Sequence, residues 1–169
     1  MVCVLSEAMS LEELRNRRAI RAQAIVCRGG RILMARHEEE STSIWCLPGG
    51  ALEDGETPAE GALRELREEA KVEGRIVRLV GQGLDEQGEI DAYTFWIDIG
   101  DQEPRLGDDP EVEEDARILV AVEWMSLGEI PERDRVFLWR AGLLNVPGFL
   151  EEVETWGDQV SAPAARVEP

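Results

Sequence analysis

Glu65, Glu68 and Glu69 stand at i, i+3 and i+4, the spacing that puts three carboxylates on one face of an α-helix. Like charges so placed repel, each neighbouring pair costing roughly 0.2–0.5 kcal/mol in an isolated helix. Arg64, four residues before Glu68, relieves part of that repulsion. A cluster of hard oxygen ligands that repel one another is what a divalent cation such as Mg²⁺ or Mn²⁺ neutralises. Taken alone, such a run is a solvated acidic face. What distinguishes this one is its fixed distance from Leu47-Pro48-Gly49-Gly50, where glycine backbone can approach a ligand closely.

These acids need a helix with a defined start, and the sequence supplies one. Thr57 is a capping residue, Pro58 suits the first helical position, and Glu60 completes a capping box. Ala59, Ala62, Leu63, Leu66 and Ala70 then recur at helical spacing as a narrow stripe of mostly small residues, suited to close packing on a sheet.

The stretch from Gly50 to Val72 resembles the box of the Nudix hydrolases. Gly50 is followed by five residues and Glu56, and seven more lead to Arg64-Glu65. Leu66, Glu68-Glu69 and the apolar Val72 complete the pattern, so eight of nine defined positions match. The ninth, usually glycine, is Lys71. Because a non-glycine residue is costly in the left-handed conformation, the expectation is a helix that runs past Lys71 and ends at Gly74.

The resemblance implies an α/β fold, an α/β/α sandwich with a mixed sheet between helices. It also implies Mg²⁺ or Mn²⁺ as cofactor. Glu65 and Glu69 would be ligands, Glu68 a ligand or general base, and Arg64 the residue that holds the glutamates in place. Gly49 would add a backbone carbonyl, with Gly49 and Gly50 beside the substrate. Arg36 is a candidate for the substrate phosphates, and Glu113 or Glu114 for a further metal ligand. Glu56 is expected to steady the loop rather than touch substrate.

Length and composition agree with one domain. The 169 residues are 43% hydrophobic, enough for a packed core. Acids outnumber bases 36 to 18, giving a formal net charge of −18. That charge repels nucleic acid polymers and, where bound cations invert the local potential, favours a small metal-bound substrate over a polynucleotide; the resemblance makes that substrate a nucleotide. No apolar run approaches a membrane span, so a cytoplasmic location without membrane contact is expected. Cys3, Cys27 and Cys46 read as reduced thiols.

Ser10–Arg15 reads as a short amphipathic helix in an N-terminal extension of about residues 1–20 to a domain ending near 156, with 157–169 as a mobile tail. The Leu11 and Phe149 segments are candidates for a homodimer interface. Two apolar runs around Gly29-Gly30 predict a β-hairpin. Further strands are expected at 75–81, 90–99 and 118–125, and a second helix carries Val136, Phe137 and Trp139. His37, the only histidine, reads as exposed or as a minor substrate contact.

The expected reaction is hydrolysis of a phosphoanhydride in a nucleoside diphosphate linked to another group. No proline follows the box before Pro104, whereas many ADP-ribose-cleaving members carry one soon after it. Glu123-Trp124-Met125 resembles a strand of enzymes that cleave oxidised nucleoside triphosphates. A nucleoside triphosphate or its oxidised form therefore leads, followed by dinucleoside polyphosphates and nucleotide sugars. The alternative is a binding or regulatory module of the same fold that holds a nucleotide without cutting it.

Overall fold

The structure, a computed structural model, describes residues 20–39, 42–84, 88–107 and 118–154. Ser10–Arg15, Glu113, Glu114 and the 157–169 tail lie outside the described residues.

Among the described residues, eight strands form two four-stranded sheets. The first has the order β5 (Gly49–Ala51), β1 (Arg21–Ile25), β7 (Ile90–Asp98), β6 (Arg75–Leu84), and is mixed, because β1 and β7 run parallel. In the second, β3 (Arg31–Glu39) pairs with β2 (Cys27–Arg28), β4 (Thr42–Cys46) and β8 (Ile118–Met125).

The expected hairpin is only partly realised. Gly29 and Gly30, at φ 57° and 74°, make the tight turn between β2 and β3. Positive φ at both central residues matches the strand twist, which is why a Gly-Gly pair serves here. The run before it does not continue the hairpin. Ala22 and Ala24 are fully buried, and β1 crosses to the first sheet to lie between β5 and β7. Small residues at these positions let a helix approach closely.

Alternation along the strands divides the core in two. Ala22, Ala24 and Leu33 face helix α1 (Pro58–Ala70), packing with Ala62, Leu66 and Ala70. Ile25, Ile32 and Met34 face the other way, towards helix α2 (Glu132–Arg140), a 3-10 turn at Leu143–Asn145 and helix α3 (Phe149–Glu154). Helices thus cover both faces, in the expected α/β class.

The start of α1 is as expected. Thr57 Oγ1 accepts from the Glu60 amide while the Glu60 carboxylate accepts from the Thr57 amide, with Pro58 opening the helix. Its end is not. The helix stops at Ala70, and Lys71 itself adopts the left-handed conformation at φ 55°, ψ 36°. Two observations account for the difference. Val72 is 2% exposed, so the chain must turn inward at once. The last carbonyls are met from a distant loop, Arg105 N–H donating to Ala70 O at 2.9 Å and Gly107 N–H to Glu69 O at 2.8 Å. Gly74 serves packing instead, since a Cβ there would collide with Ile97.

Candidate active site

Helix α1 presents Glu65 and Glu69 to the interior, 5% and 3% exposed, while Glu68 stays partly accessible. Buried carboxylates demand donors, and Arg64 supplies several. Its Nη1 donates to Glu65 Oε1 at 2.8 Å and to Glu68 Oε2 at 3.0 Å. Its Nε donates to Glu56 Oε1 at 2.9 Å, and Nη2 to Glu56 Oε2 and the Ala51 carbonyl. One planar guanidinium therefore ties the loop after β5 to two acids of the helix. The Arg64 hydrogen bond holds the Glu56 carboxyl below the usual carboxylate range, and the Glu56 partner in turn raises the guanidinium.

The Gly49-Gly50 pair works by proximity. A Cβ on Gly50 would collide with the Glu65 carboxylate. Gly49 N–H donates to Glu69 Oε2 at 3.0 Å. The Gly49 carbonyl accepts from Arg21 Nη2 at 3.0 Å, which leaves one of its two lone pairs.

His37 corrects the sequence reading. It is 9% exposed, with Nε2 3.1 Å from Glu69 Oε1 and Nδ1 3.3 Å from Cys46 Sγ. Burial alone lowers the imidazole pKa, but the hydrogen bonds to Cys46 and Glu69 outweigh it and raise the group to about 10. The missed signal was strand periodicity. His37 shares the inward face with Leu33 and Ala35, so the pleat sends it, and not Arg36, towards the acid helix. Arg36 turns to the opposite face, where its guanidinium lies 5.6 Å from the Trp45 ring centroid and 3.6 Å from Glu38 Oε1. The structure thus brings together Gly49, Gly50, Arg64, Glu65, Glu68 and Glu69, adds His37, and leaves Arg36 apart.

Glu65, Glu68 and Glu69 are all oxygen donors, the type that Mg²⁺ and Mn²⁺ take. Among the described residues no three acidic, histidine or cysteine side chains stand together as a finished cage. Arg64 bridges Glu65 and Glu68, and Glu69 divides its oxygens between His37 and Gly49. The donor set fits a hard divalent cation in kind and in burial, with the partly accessible Glu68 as its adjustable member.

The family model for the NUDIX domain matches residues 17–144, so the chain belongs to the NUDIX family. A nucleoside triphosphate pyrophosphatase/Nudix hydrolase fusion protein of Bifidobacterium longum (strain NCC 2705) is 31% identical over 115 residues, covering 66% of this chain and 22% of that protein. A MutT-like protein of Streptomyces ambofaciens is 32% identical over 112 residues, covering 66% of each. The chain thus spans less than two thirds of the length of these relatives. In three dimensions it resembles a MutT NUDIX hydrolase from Burkholderia pseudomallei, at 25% identity and TM-score 0.51 over 72% of this chain and 96% of that one. A NUDIX hydrolase from Nitrosomonas europaea shares the fold at 23% identity and TM-score 0.55, over 69% of this chain and 62% of that one.

Proposed function

We propose that this chain is a metal-dependent pyrophosphohydrolase that cleaves a phosphoanhydride in a nucleoside diphosphate linked to another moiety. The observation that carries the reading is the pair of buried carboxylates on one helix face against the Gly49-Gly50 backbone, Glu65 held by Arg64 and Glu69 by His37 and the Gly49 amide. Nothing in core packing calls for two buried acids side by side, since charges are buried only at a cost unless paired or bound to metal.

Glu65, Glu68 and Glu69 would hold Mg²⁺ or Mn²⁺, with Gly49 as a backbone contributor and Glu113 or Glu114 as further candidates. When bound, the cation would polarise phosphoryl oxygens and lower the pKa of an attacking water. Glu68 is the accessible acid and is placed to take a proton. His37 fixes the rotamer of Glu69, and Arg64 those of Glu65 and Glu68. Gly49 and Gly50 keep side chains out of the space in front of the acids. Arg36, on the opposite face, is assigned no phosphate contact.

The substrate class follows the sequence reading: a nucleoside triphosphate or an oxidised form of one leads. An ADP-ribose pyrophosphatase of Methanocaldococcus jannaschii, 28% identical over 96 residues, keeps the wider nucleotide class in the test. The test is incubation with Mg²⁺ or Mn²⁺ and a panel of nucleoside triphosphates, 8-oxo-dGTP, ADP-ribose, diadenosine polyphosphates and nucleotide sugars. Products that vanish with chelator and with Glu69→Gln support hydrolysis. Nucleotide binding without any product would instead support the non-catalytic module.

A further inference from the structure

The β6 edge of the first sheet is thinly covered on the face that carries α1. Helix α1 packs mainly on β1 and β5. A helix with its side chains is about 10–12 Å across, enough for roughly two strands spaced about 4.8 Å apart. The strands beyond carry apolar side chains on the same face. Tyr93, Phe95 and Ile97 alternate along β7, and on β6 Leu79 stands opposite Phe95 and Ile76 opposite Ile97. Leu79 is 43% exposed and Val77, beside it on β6, 38%. Leu63, partly buried, bounds this strip from the helix side, since a Cβ on Gly74 would touch both Leu63 and Ile97.

The chain that leads into β1 enters at one end of the strip. Arg21 stands level with Ala92, next to Tyr93, and the start of α1 lies over the start of β1, because a Cβ on Gly61 would meet Ala22. From Ile20 the distance across to β6 is two strand spacings, about 10 Å. Asn16 to Ala19 reach about 14 Å when extended. A helix lying beside α1 at the usual separation of roughly 8–10 Å between axes sits over β7 and β6. Leu11 and Leu14 share one side of the helix expected at Ser10–Arg15. Charge runs in the same direction. Arg17 and Arg18 fall at the end where Glu60 opens α1, and Glu12 and Glu13 point along the strip towards Arg67 and Arg75, both in exposed ion pairs.

We propose that residues 10–19 of the same chain dock on this strip beside α1, Leu14 against Tyr93 and Leu11 against Leu79. The docked segment removes the exposed apolar surface of β6 from water and braces α1 on the flank that carries Leu63. Leu63 is five residues before Glu68, about 140° round the helix, so the acid face stays open to substrate.

Tyr93 is the only tyrosine of the chain, so fluorotyrosine places a single reporter in the strip. The full chain is compared with a variant carrying Leu11→Ser and Leu14→Ser together. Both changes lie outside the sheet, so they reach the reporter only if the segment covers it. The expected result is a shifted fluorine resonance, a faster relaxation of it by a dissolved gadolinium chelate, and a lower denaturant midpoint, all independent of protein concentration. Nucleotide turnover is expected to be retained, which separates a failure of docking from a failure of the hydrolase reading. A second measurement oxidises a chain carrying Leu11→Cys and Leu79→Cys, mixed from isotope-labelled and unlabelled protein, and maps the bridge by mass spectrometry. A bridge within one chain supports docking of its own segment. Bridges that mix the isotopes, or a fluorine shift that follows concentration, would assign the strip to a second copy and overturn it. An unchanged fluorine signal in the Leu11 and Leu14 variant would overturn it as well.

Discussion

His37 Nε2 lies 3.1 Å from Glu69 Oε1 across the interface between β3 and α1, and both side chains are buried. With Gly49 N–H on the other oxygen, the Glu69 carboxylate is held from two sides before any ligand arrives. Pre-orientation of this kind removes reorganisation from the reacting state.

Removing the imidazole leaves a buried carboxylate short of one donor. His37→Ala is expected to cost about 1–3 kcal/mol of stability, read as a lowered denaturant midpoint. His37→Gln, which keeps an N–H donor, should cost less. Equal losses in the two variants would show that the imidazole serves volume and not hydrogen bonding.

Glu69→Gln keeps the shape of the side chain and removes its charge. If this acid is central to a charged reacting state, kcat should fall by roughly 10²–10³, equivalent to about 2.7–4 kcal/mol, the loss seen when one strong electrostatic element is deleted. Chelator should abolish activity of the wild type altogether. Wild-type turnover in the variant at saturating metal would refute the assignment.

The Glu56–Arg64 pair predicts an acid-dependent loss of stability. Arg64 lowers the folded-state pKa of Glu56 below its ordinary 4.5. The unfolded state therefore takes up the proton first as pH falls. The stabilisation is complete above that ordinary value and is lost as pH drops through the depressed folded one. Glu56→Gln should destabilise by about 1–2 kcal/mol at pH 7, and the gap to wild type should narrow in melts below about pH 4. A gap independent of pH would assign the effect to packing.

Lys71 occupies a left-handed position that suits glycine. Lys71→Gly relieves a strain of about 1–2 kcal/mol but loosens the unfolded chain, so the expected net gain is about 0.5–1 kcal/mol. Chemical denaturation checks it. Activity should be unaffected by the change, because the acids lie upstream of it.

Along the chain, short-range rules carried a great deal. The Thr57 cap, Pro58 and Glu60 fixed where α1 begins. The i, i+3, i+4 spacing fixed which face carries the acids, and the Arg64-to-Glu68 interval foretold one of the ion pairs. All of these depend on residues within about a turn of helix, where covalent geometry leaves few choices. The Gly-Gly turn before β3 was legible for the same reason.

Tertiary structure decided the rest, because it depends on which backbones come to lie together. Lys71 is left-handed since Val72 must be buried and residues 105–107, a separate loop, meet the helix end. His37 reaches Glu69 across the space between β3 and α1, a meeting that no interval in the sequence specifies. Gly50 is needed since Glu65 arrives from another element to fill the space in front of it. The sequence by itself determined the helix, its acids and the turn that precedes them. The fold alone determined which of those acids are buried and what holds them, because long-range contacts are set by packing and not by spacing.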